Sequence, residues 1–222
     1  MRSDDDSISN DPFGLNGSTP LILAAGGGHL SVVRFLVSVF AGLDGRNILG
    51  DTALLAARQH YDVVRYLCES KADCNAQDGP GSETALMYAA GDGAIDVVRY
   101  MVSKHGALVD IQNDDGQSAP FCAAINGNMD VVRYLVEHAK VDLHLRDEQG
   151  RTAQKAAADQ HDRGRISRRI VEFLETATAM FDTRAQELAE SAAAELLAEE
   201  EKGRCQASTS ASRVRKKKNK KK

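Results

Sequence analysis

The side chains of this 222-residue chain best suited to metal ligation or nucleophilic chemistry are six histidines and four cysteines. They are His29, His60, His105, His138, His144 and His161, with Cys68, Cys74, Cys122 and Cys205. Their spacing favours neither chemistry. A zinc site needs about four ligands in matched geometry, and no two cysteines form a CxxC pair. His60, Cys68 and Cys74 come nearest, but Cys68 falls on an amphipathic helical stretch and Cys74 on the turn after it. Both read as small buried hydrophobes. Gly26-Gly27-Gly28 could suggest a phosphate loop, yet it separates two helical stretches and does not join a strand to a helix. The expectation is therefore a non-enzyme with no catalytic residue, no metal and no cofactor.

The elements that carry these residues are set by composition and repetition. At 42% hydrophobic residues the chain can fold a core, and at 5% aromatic with no Trp that core must be built from Ala, Val and Leu. This composition disfavours a wholly disordered chain, a collagen and a disulfide scaffold. The apolar run from Leu21 to Phe40 is broken by the three glycines, His29 and Arg34, so no membrane span is expected. The acidic N-terminus lacks the apolar stretch of a secretory signal. Together with the unpaired cysteines, this suggests an intracellular setting, cytoplasmic or nuclear.

One string recurs almost unchanged: Val32-Val33-Arg34-Phe35-Leu36, Val63-Val64-Arg65-Tyr66-Leu67, Val97-Val98-Arg99-Tyr100-Met101 and Val131-Val132-Arg133-Tyr134-Leu135. Ile170-Val171-Glu172-Phe173-Leu174 is a weaker fifth copy. A second string precedes each, starting at Thr19, Thr52, Thr84, Ser118 and Thr152. Each unit reads as two short antiparallel helices. Thr or Ser caps the first, and a break follows, carrying glycine in most units. Asp62, Asp96 and Asp130 then suit the dipole at the start of the second. The apolar residues make one stripe per helix. A single pair cannot bury that stripe, whereas stacked pairs can.

The pattern resembles the ankyrin repeat. Gly17-Ser18-Thr19-Pro20-Leu21, Gly28-His29-Leu30 and Ala72-Asp73-Cys74-Asn75 match its helix start, turn and hairpin, and the period near 33 residues is that of the family. The resemblance implies an all-α ankyrin-repeat solenoid of stacked helix pairs over residues 14–175, in repeats of about 14–46, 47–78, 79–112, 113–146 and 147–175. It also implies that His29 and His60 tie repeats together by hydrogen bonds. Repeat two is about two residues short around its first helix, so a weaker joint is expected there. Repeat three carries extra residues at Gly79-Pro80-Gly81, and repeat five an insertion over 159–169.

Outside the array, residues 1–13 read as a flexible acidic arm and 176–202 as an Ala/Glu-rich helix ended by Gly203. Residues 203–222 read as a disordered linker and basic tail. Arg213, Arg215, Lys216, Lys217, Lys218, Lys220, Lys221 and Lys222 supply eight positive charges to a chain whose formal net charge is -4, so residues 1–212 carry -12. The tail could serve nuclear import, contact nucleic acid or an anionic surface weakly through charge alone, or only solubilise. Arg65, Arg99 and Arg133 follow Asp62, Asp96 and Asp130 by three residues, which predicts local ion pairs.

The family resemblance places partner binding on hairpin tips and the open side of the first helices. These positions are Leu49, Asp51, Arg58, Gln59, Glu83, Asp92, Asp114, Asp115, Gln117, Asn126, Glu148 and Arg151. They carry more acid than base, which favours a basic or polar protein partner. The alternative is that Asp and Asn stand there as turn formers. The implied function is noncatalytic: an adaptor, expected to be monomeric, that binds another protein. Two alternatives are a nucleic-acid-associated protein that uses its tail and a substrate-adaptor subunit of a larger enzyme complex.

Overall fold

A computed structural model describes residues 17–39, 42–160 and 164–219, with side chains through residue 193. The expected arm at 1–13, His161, Lys220, Lys221 and Lys222 lie outside the described residues. The fold is all-α. Five helix pairs follow one another along the described residues: α1 (Pro20–Gly26) with α2 (Leu30–Ser38), α3 (Ala53–Ala56) with α4 (Tyr61–Glu69), α5 (Ala85–Asp92) with α6 (Ile95–His105), α7 (Ala119–Asn126) with α8 (Met129–His138), and α9 (Ala153–Ala158) with the start of α10 (Gly164–Asn219).

The repeated threonines do what their position predicts. Thr19, Thr52, Thr84 and Thr152 each accept a hydrogen bond from a backbone N–H three residues on, satisfying a donor that the first turn leaves orphaned. Ser118 occupies the same place but makes no such side-chain bond. Pro20 and Pro120 fall in the first turn, where no N–H is needed. At Gly28 the chain turns with φ +70°, and a Cβ there would lie 2.6 Å from the His60 ring. Only glycine tolerates both.

The Val-Val-x-x-Leu stripes form the core. Val33, Val64, Val98 and Val132 are fully buried, as are Leu67, Met101 and Leu135. Small Ala25, Ala57, Ala89, Ala90, Ala123 and Ala156 on or beside the inner helices are equally buried, which lets helices approach closely. Repeats are also tied by polar contacts. His60 Nε2 lies 3.0 Å from the Gly26 carbonyl. Asn128 Nδ2 donates to the Ala90 and Gly91 carbonyls at 2.8 and 2.7 Å. The equivalent position between repeats two and three is Ala94, whose methyl group can neither donate nor accept a hydrogen bond.

On the outer helices the expected local pairing gives way to another arrangement. Among the described residues Arg65, Arg99 and Arg133 form no ion pair with the preceding Asp. Instead Arg34 lies 5.0 Å from the centre of the Tyr66 ring and Arg99 5.3 Å from that of Tyr134. Both partners stand on the next repeat. A guanidinium over an aromatic face in an exposed setting stabilises by about 0.5–1 kcal/mol, and here it does so between modules.

The array to Glu175 forms one compact unit, and the residues from Thr176 form a second. The expected helix end at Gly203 and disorder beyond it are corrected by the structure, in which α10 continues to Asn219. One interior glycine costs about 1 kcal/mol relative to alanine. The surrounding Ala, Glu, Gln, Arg and Lys are good helix formers, no Pro intervenes, and a basic end complements the helix dipole. Gly203 lacks the helix-ending context that a C-cap needs. The insertion of repeat five falls on the α9–α10 connection and the opening turns of α10.

The deficit in repeat two is visible as a four-residue α3, against seven and eight residues in α1, α5 and α7. With α3 this short and Ala94 unable to bridge, the inner helices of repeats two and three pack against each other less than any other neighbouring inner pair. Amides of α3 should exchange at least about tenfold faster than those of α5, an opening free energy lower by ~1.4 kcal/mol. Equal protection in native-state hydrogen exchange would contradict this.

Candidate protein-binding site

The hairpin tips are built on one repeated device. Asn47, Asp78, Asn113 and Asp147 stand at equivalent positions, and the Oδ1 atom of each accepts backbone N–H bonds from its own tip. Asn47 takes Leu49 and Asp51, Asp78 takes Gly81 and Glu83, Asn113 takes Gln117, and Asp147 takes Gln149 and Arg151. These side chains close the turns. Successive tips are then joined along the backbone. Gly79 N donates to Leu49 O, Asp114 N to Gly81 O, and Glu148 N to Asp115 O, each at 2.9 Å.

A cleft of about 490 Å³ lies where the tips of repeats two, three and four meet the inner helices. Six of the sequence-predicted partner residues line it: Leu49, Asp51, Arg58, Glu83, Asp114 and Asp115. Asp78, Pro80, Gly81, Tyr88 and Asn113 complete the wall. The extra Gly79-Pro80-Gly81 of repeat three thus forms part of the cleft. Tyr88 projects from α5 at a position filled by Leu23, Ala56, Cys122 and Ala156 in the other inner helices. Its hydroxyl donates to Asp78 Oδ2 at 2.6 Å, and the Arg58 guanidinium lies 4.3 Å from its ring centre. Burial, then the hydrogen bonds and charges of Asp78 and Glu83, push the Tyr88 phenol well above its ordinary pKa, so it remains a neutral donor. Five carboxylates face one guanidinium across this space.

The other predicted residues are not gathered there. Gln59 donates to Asp92 at 3.2 Å, joining the far ends of repeats two and three. Asn126 donates to the Cys122 carbonyl of its own helix. The Gln117 and Glu148 backbones serve the tips. Arg151 is engaged by Asp147, with Nε and Nη2 at 2.9 and 2.8 Å from Oδ2, and by Asp159 at 3.5 Å. It clamps its own tip. Sequence reasoning missed Tyr88, whose hydroxyl within an otherwise apolar string was the available signal, and Asp78 and Asn113, which follow from the tip register.

Among the described residues, Cys68, Cys74 and Cys122 are buried. Cys68 and Cys74 lie with sulfurs 3.4 Å apart. The hydrogen bond with Cys74, and then burial, hold the Cys68 thiol far above the ordinary thiol range. Burial and the charge of Glu83 push Cys122 up to about 12. Cys68 and Cys122, kept protonated in this way, are poor nucleophiles, whereas the hydrogen bond with Cys68 lowers the pKa of the Cys74 thiol. Among the described residues no group of three or more His, Cys, Asp or Glu is placed to hold a metal ion. No described helix is long and apolar enough to cross a membrane.

An all-α solenoid of capped helix pairs, joined tip to tip and presenting a lined cleft, is a repeat architecture of the protein-interaction class. The family profile for ankyrin repeats matches residues 3–78 and 86–182. The chain belongs to the ankyrin repeat family. It is 38% identical over 84 residues to the probable E3 ubiquitin-protein ligase XBOS33 of Oryza sativa subsp. japonica, covering 37% of this chain and 16% of that protein. It is 37% identical over 82 residues to the E3 ubiquitin-protein ligase XBAT33 of Arabidopsis thaliana, covering 36% and 16%. With ankyrin repeat and SAM domain-containing protein 6 of Mus musculus it shares 43% identity over 61 residues, 26% of this chain and 7% of that one. The matched segments thus span less than a fifth of each relative's length.

Asp147 carries a pH-dependent share of stability. Burial alone would raise its pKa, but the Arg151 backbone N–H, guanidinium and charge together lower it. A lowered carboxyl stabilises the fold above the unfolded value of about 3.9, and that stability is lost as pH falls through the folded value. Asp147→Asn retains the turn acceptor, as Asn47 and Asn113 do, and should remove this acid-limb dependence in urea titrations from pH 7 to pH 2. Asp147→Ala orphans the tip amides and should cost about 1–3 kcal/mol at neutral pH.

Proposed function

We propose that the chain is a noncatalytic adaptor whose cleft between the tips of repeats two to four receives a basic segment of a partner protein. The observation that carries this reading is a division of labour among the acids. Asn47, Asp78, Asn113 and Asp147 close the turns. Among the described residues, no turn hydrogen bond uses the Asp114 or Asp115 carboxylate, and the Glu83 carboxylate meets Asn113 at 3.5 Å and the Tyr88 hydroxyl, not a turn amide. The turn-former explanation therefore leaves Asp114 and Asp115 without a role and does not account for Glu83. Carboxylates at the mouth steer a cationic partner, while Leu49 and Pro80 offer apolar contact and Tyr88 a face for a guanidinium beside Arg58. Of the twelve predicted positions, Leu49, Asp51, Arg58, Glu83, Asp114 and Asp115 are the proposed contacts.

A second reading makes the repeats the recognition subunit of a larger enzyme complex, supported by the two relatives whose names describe E3 ubiquitin-protein ligases. It uses the same cleft. The tail from Arg213 to Lys222 then acts as a nuclear-import signal, the setting that best suits eight clustered cations without interleaved aromatics.

An arrayed peptide library probed with the whole protein should be enriched in Lys- and Arg-containing binders. The double substitution Asp114→Lys and Asp115→Lys should weaken binding of the best peptides at least about tenfold, by ~1.4 kcal/mol or more, with thermal stability unchanged. Equal binding by both proteins removes the cleft from the function. A reporter fused to residues 213–222 should concentrate in the nucleus, and one that stays diffuse defeats the import reading.

A further inference from the structure

Two thiols meet in repeat two. Cys68 lies in the last turn of α4 and Cys74 on the hairpin that follows, with their sulfurs 3.4 Å apart. The turn that brings them together is fixed by the backbone. Lys71 takes φ +70°, a rare conformation for a residue with a Cβ, and the Lys71 and Ala72 amides donate to the Cys68 and Leu67 carbonyls at 2.9 and 3.0 Å. The same two positions can be read in other repeats, one residue past the stripe Leu or Met and four residues before the tip Asn or Asp. They hold Val37 with Leu43, Val102 with Val109, and Val136 with Leu143. Each of these is an aliphatic pair. Burial alone would be served at least as well by such a pair in repeat two, since Val and Leu bring more apolar surface than Cys. What the cysteines add is thiol chemistry, and it stands at both members of one pair.

From this arrangement we infer that Cys68 and Cys74 form a reversible disulfide within the chain, an oxidation site that fastens repeat two to its neighbours. Cys74 keeps 9% exposure against 2% for Cys68, so a hydroperoxide reaches Cys74 first. The hydrogen bond with Cys68 also lowers the Cys74 pKa against the opposing effect of burial, which supplies the thiolate that attacks. The Cys74 thiolate takes one oxygen of ROOH, leaving Cys74 as a sulfenic acid and releasing an alkoxide that picks up a proton as ROH. The Cys68 thiol then attacks the Cys74 sulfur, and its proton leaves with the hydroxyl as water. The sum converts two thiols and ROOH into one disulfide, ROH and water. The sulfurs close from 3.4 Å to the ~2.05 Å of the bond. Two exchanges with a thiol reductant restore both thiols. The stretch so tied carries bonds to both neighbours. Asp73 N donates to Asp44 Oδ1 of repeat one, and Asn75 Oδ1 accepts from Leu108 N of repeat three, each at 2.9 Å. The disulfide anchors this stretch to α4, in the repeat whose inner helix has only four residues. It is independent of the cleft.

The test uses the full chain carrying Cys205→Ser, so that this thiol does not compete. After treatment with hydrogen peroxide, trypsin cuts after Lys71 and leaves residues 66–71 joined to residues 72–99 by the disulfide alone. The linked pair should appear in mass spectrometry and separate on reduction. It should be absent from Cys68→Ala, in which dimedone should instead trap Cys74 as its sulfenic acid. In glutathione redox buffers the disulfide should be favoured at least about tenfold more in the folded chain than in urea, a reduction potential lower by about 30 mV. Oxidation should slow hydrogen exchange at the Asp73 and Leu108 amides at least about threefold. Thiols at 68 and 74 that stay reduced in peroxide, or a disulfide held no more tightly in the fold than in urea, would overturn the site. Unchanged exchange at both amides in the oxidised chain would overturn the fastening.

Discussion

Each outer helix of the array carries a valine that its own repeat cannot cover. Val63, Val97 and Val131 are 1–3% exposed because the preceding repeat lies against them. Val32 holds the same place in the first repeat and is 44% exposed, with Phe35 at 64%. Identical residue types in identical register thus differ in burial only through the presence of a neighbour. That dependence governs the rest of the molecule. Alanines line the inner helices so that neighbours can close up, and glycine turns the chain where a Cβ would meet the next repeat. The polar side chains that cross between modules, His60 and Asn128 inside, Arg34 and Arg99 outside, fasten a contact that apolar stacking has already made.

The proposed binding surface inherits its geometry from the same stacking. Tips are held in line by backbone bonds from one repeat to the next, and each tip is closed by its own Asn or Asp. The side chains between these anchors are released from structural duty. Their chemistry can vary without cost to the fold, which is why one architecture serves unrelated partners. In this chain the released positions are acidic at the mouth and aromatic at the wall. Arg151 shows the opposite case, a tip residue drawn into the structure by Asp147 and Asp159.

Much of the fold was legible because its period is written in nearly identical strings, and because capping threonines and first-turn prolines act locally. The features that escaped depend on neighbours or on sums. The pairing rule for Asp62 and Arg65 describes one isolated helix, whereas the tyrosines that meet Arg34 and Arg99 lie one repeat further on. Gly203 is a helix breaker only when its surroundings agree, and here they favour helix. In the site, Asp51, Glu83, Asp114 and Asp115 followed from tip register. Tyr88 was hidden within an apolar string, where its size reads as core, although its hydroxyl bonds Asp78 in the cleft. The clamp on Arg151 was within reach, since Asp147 precedes it by four residues.

The abbreviated α3 has a mechanical consequence for anything that enters the cleft. Repeats two and three both contribute walls, so an occupant must span the joint at which the inner helices pack least. Chains in which that joint has parted present half a site, and apparent affinity falls by the fraction that have it closed. The occupant in turn acts as a splint, holding α3 against α5. Recognition and the cohesion of the second repeat are then one equilibrium, and a lengthened α3 would trade adaptability at this seam for a surface permanently ready.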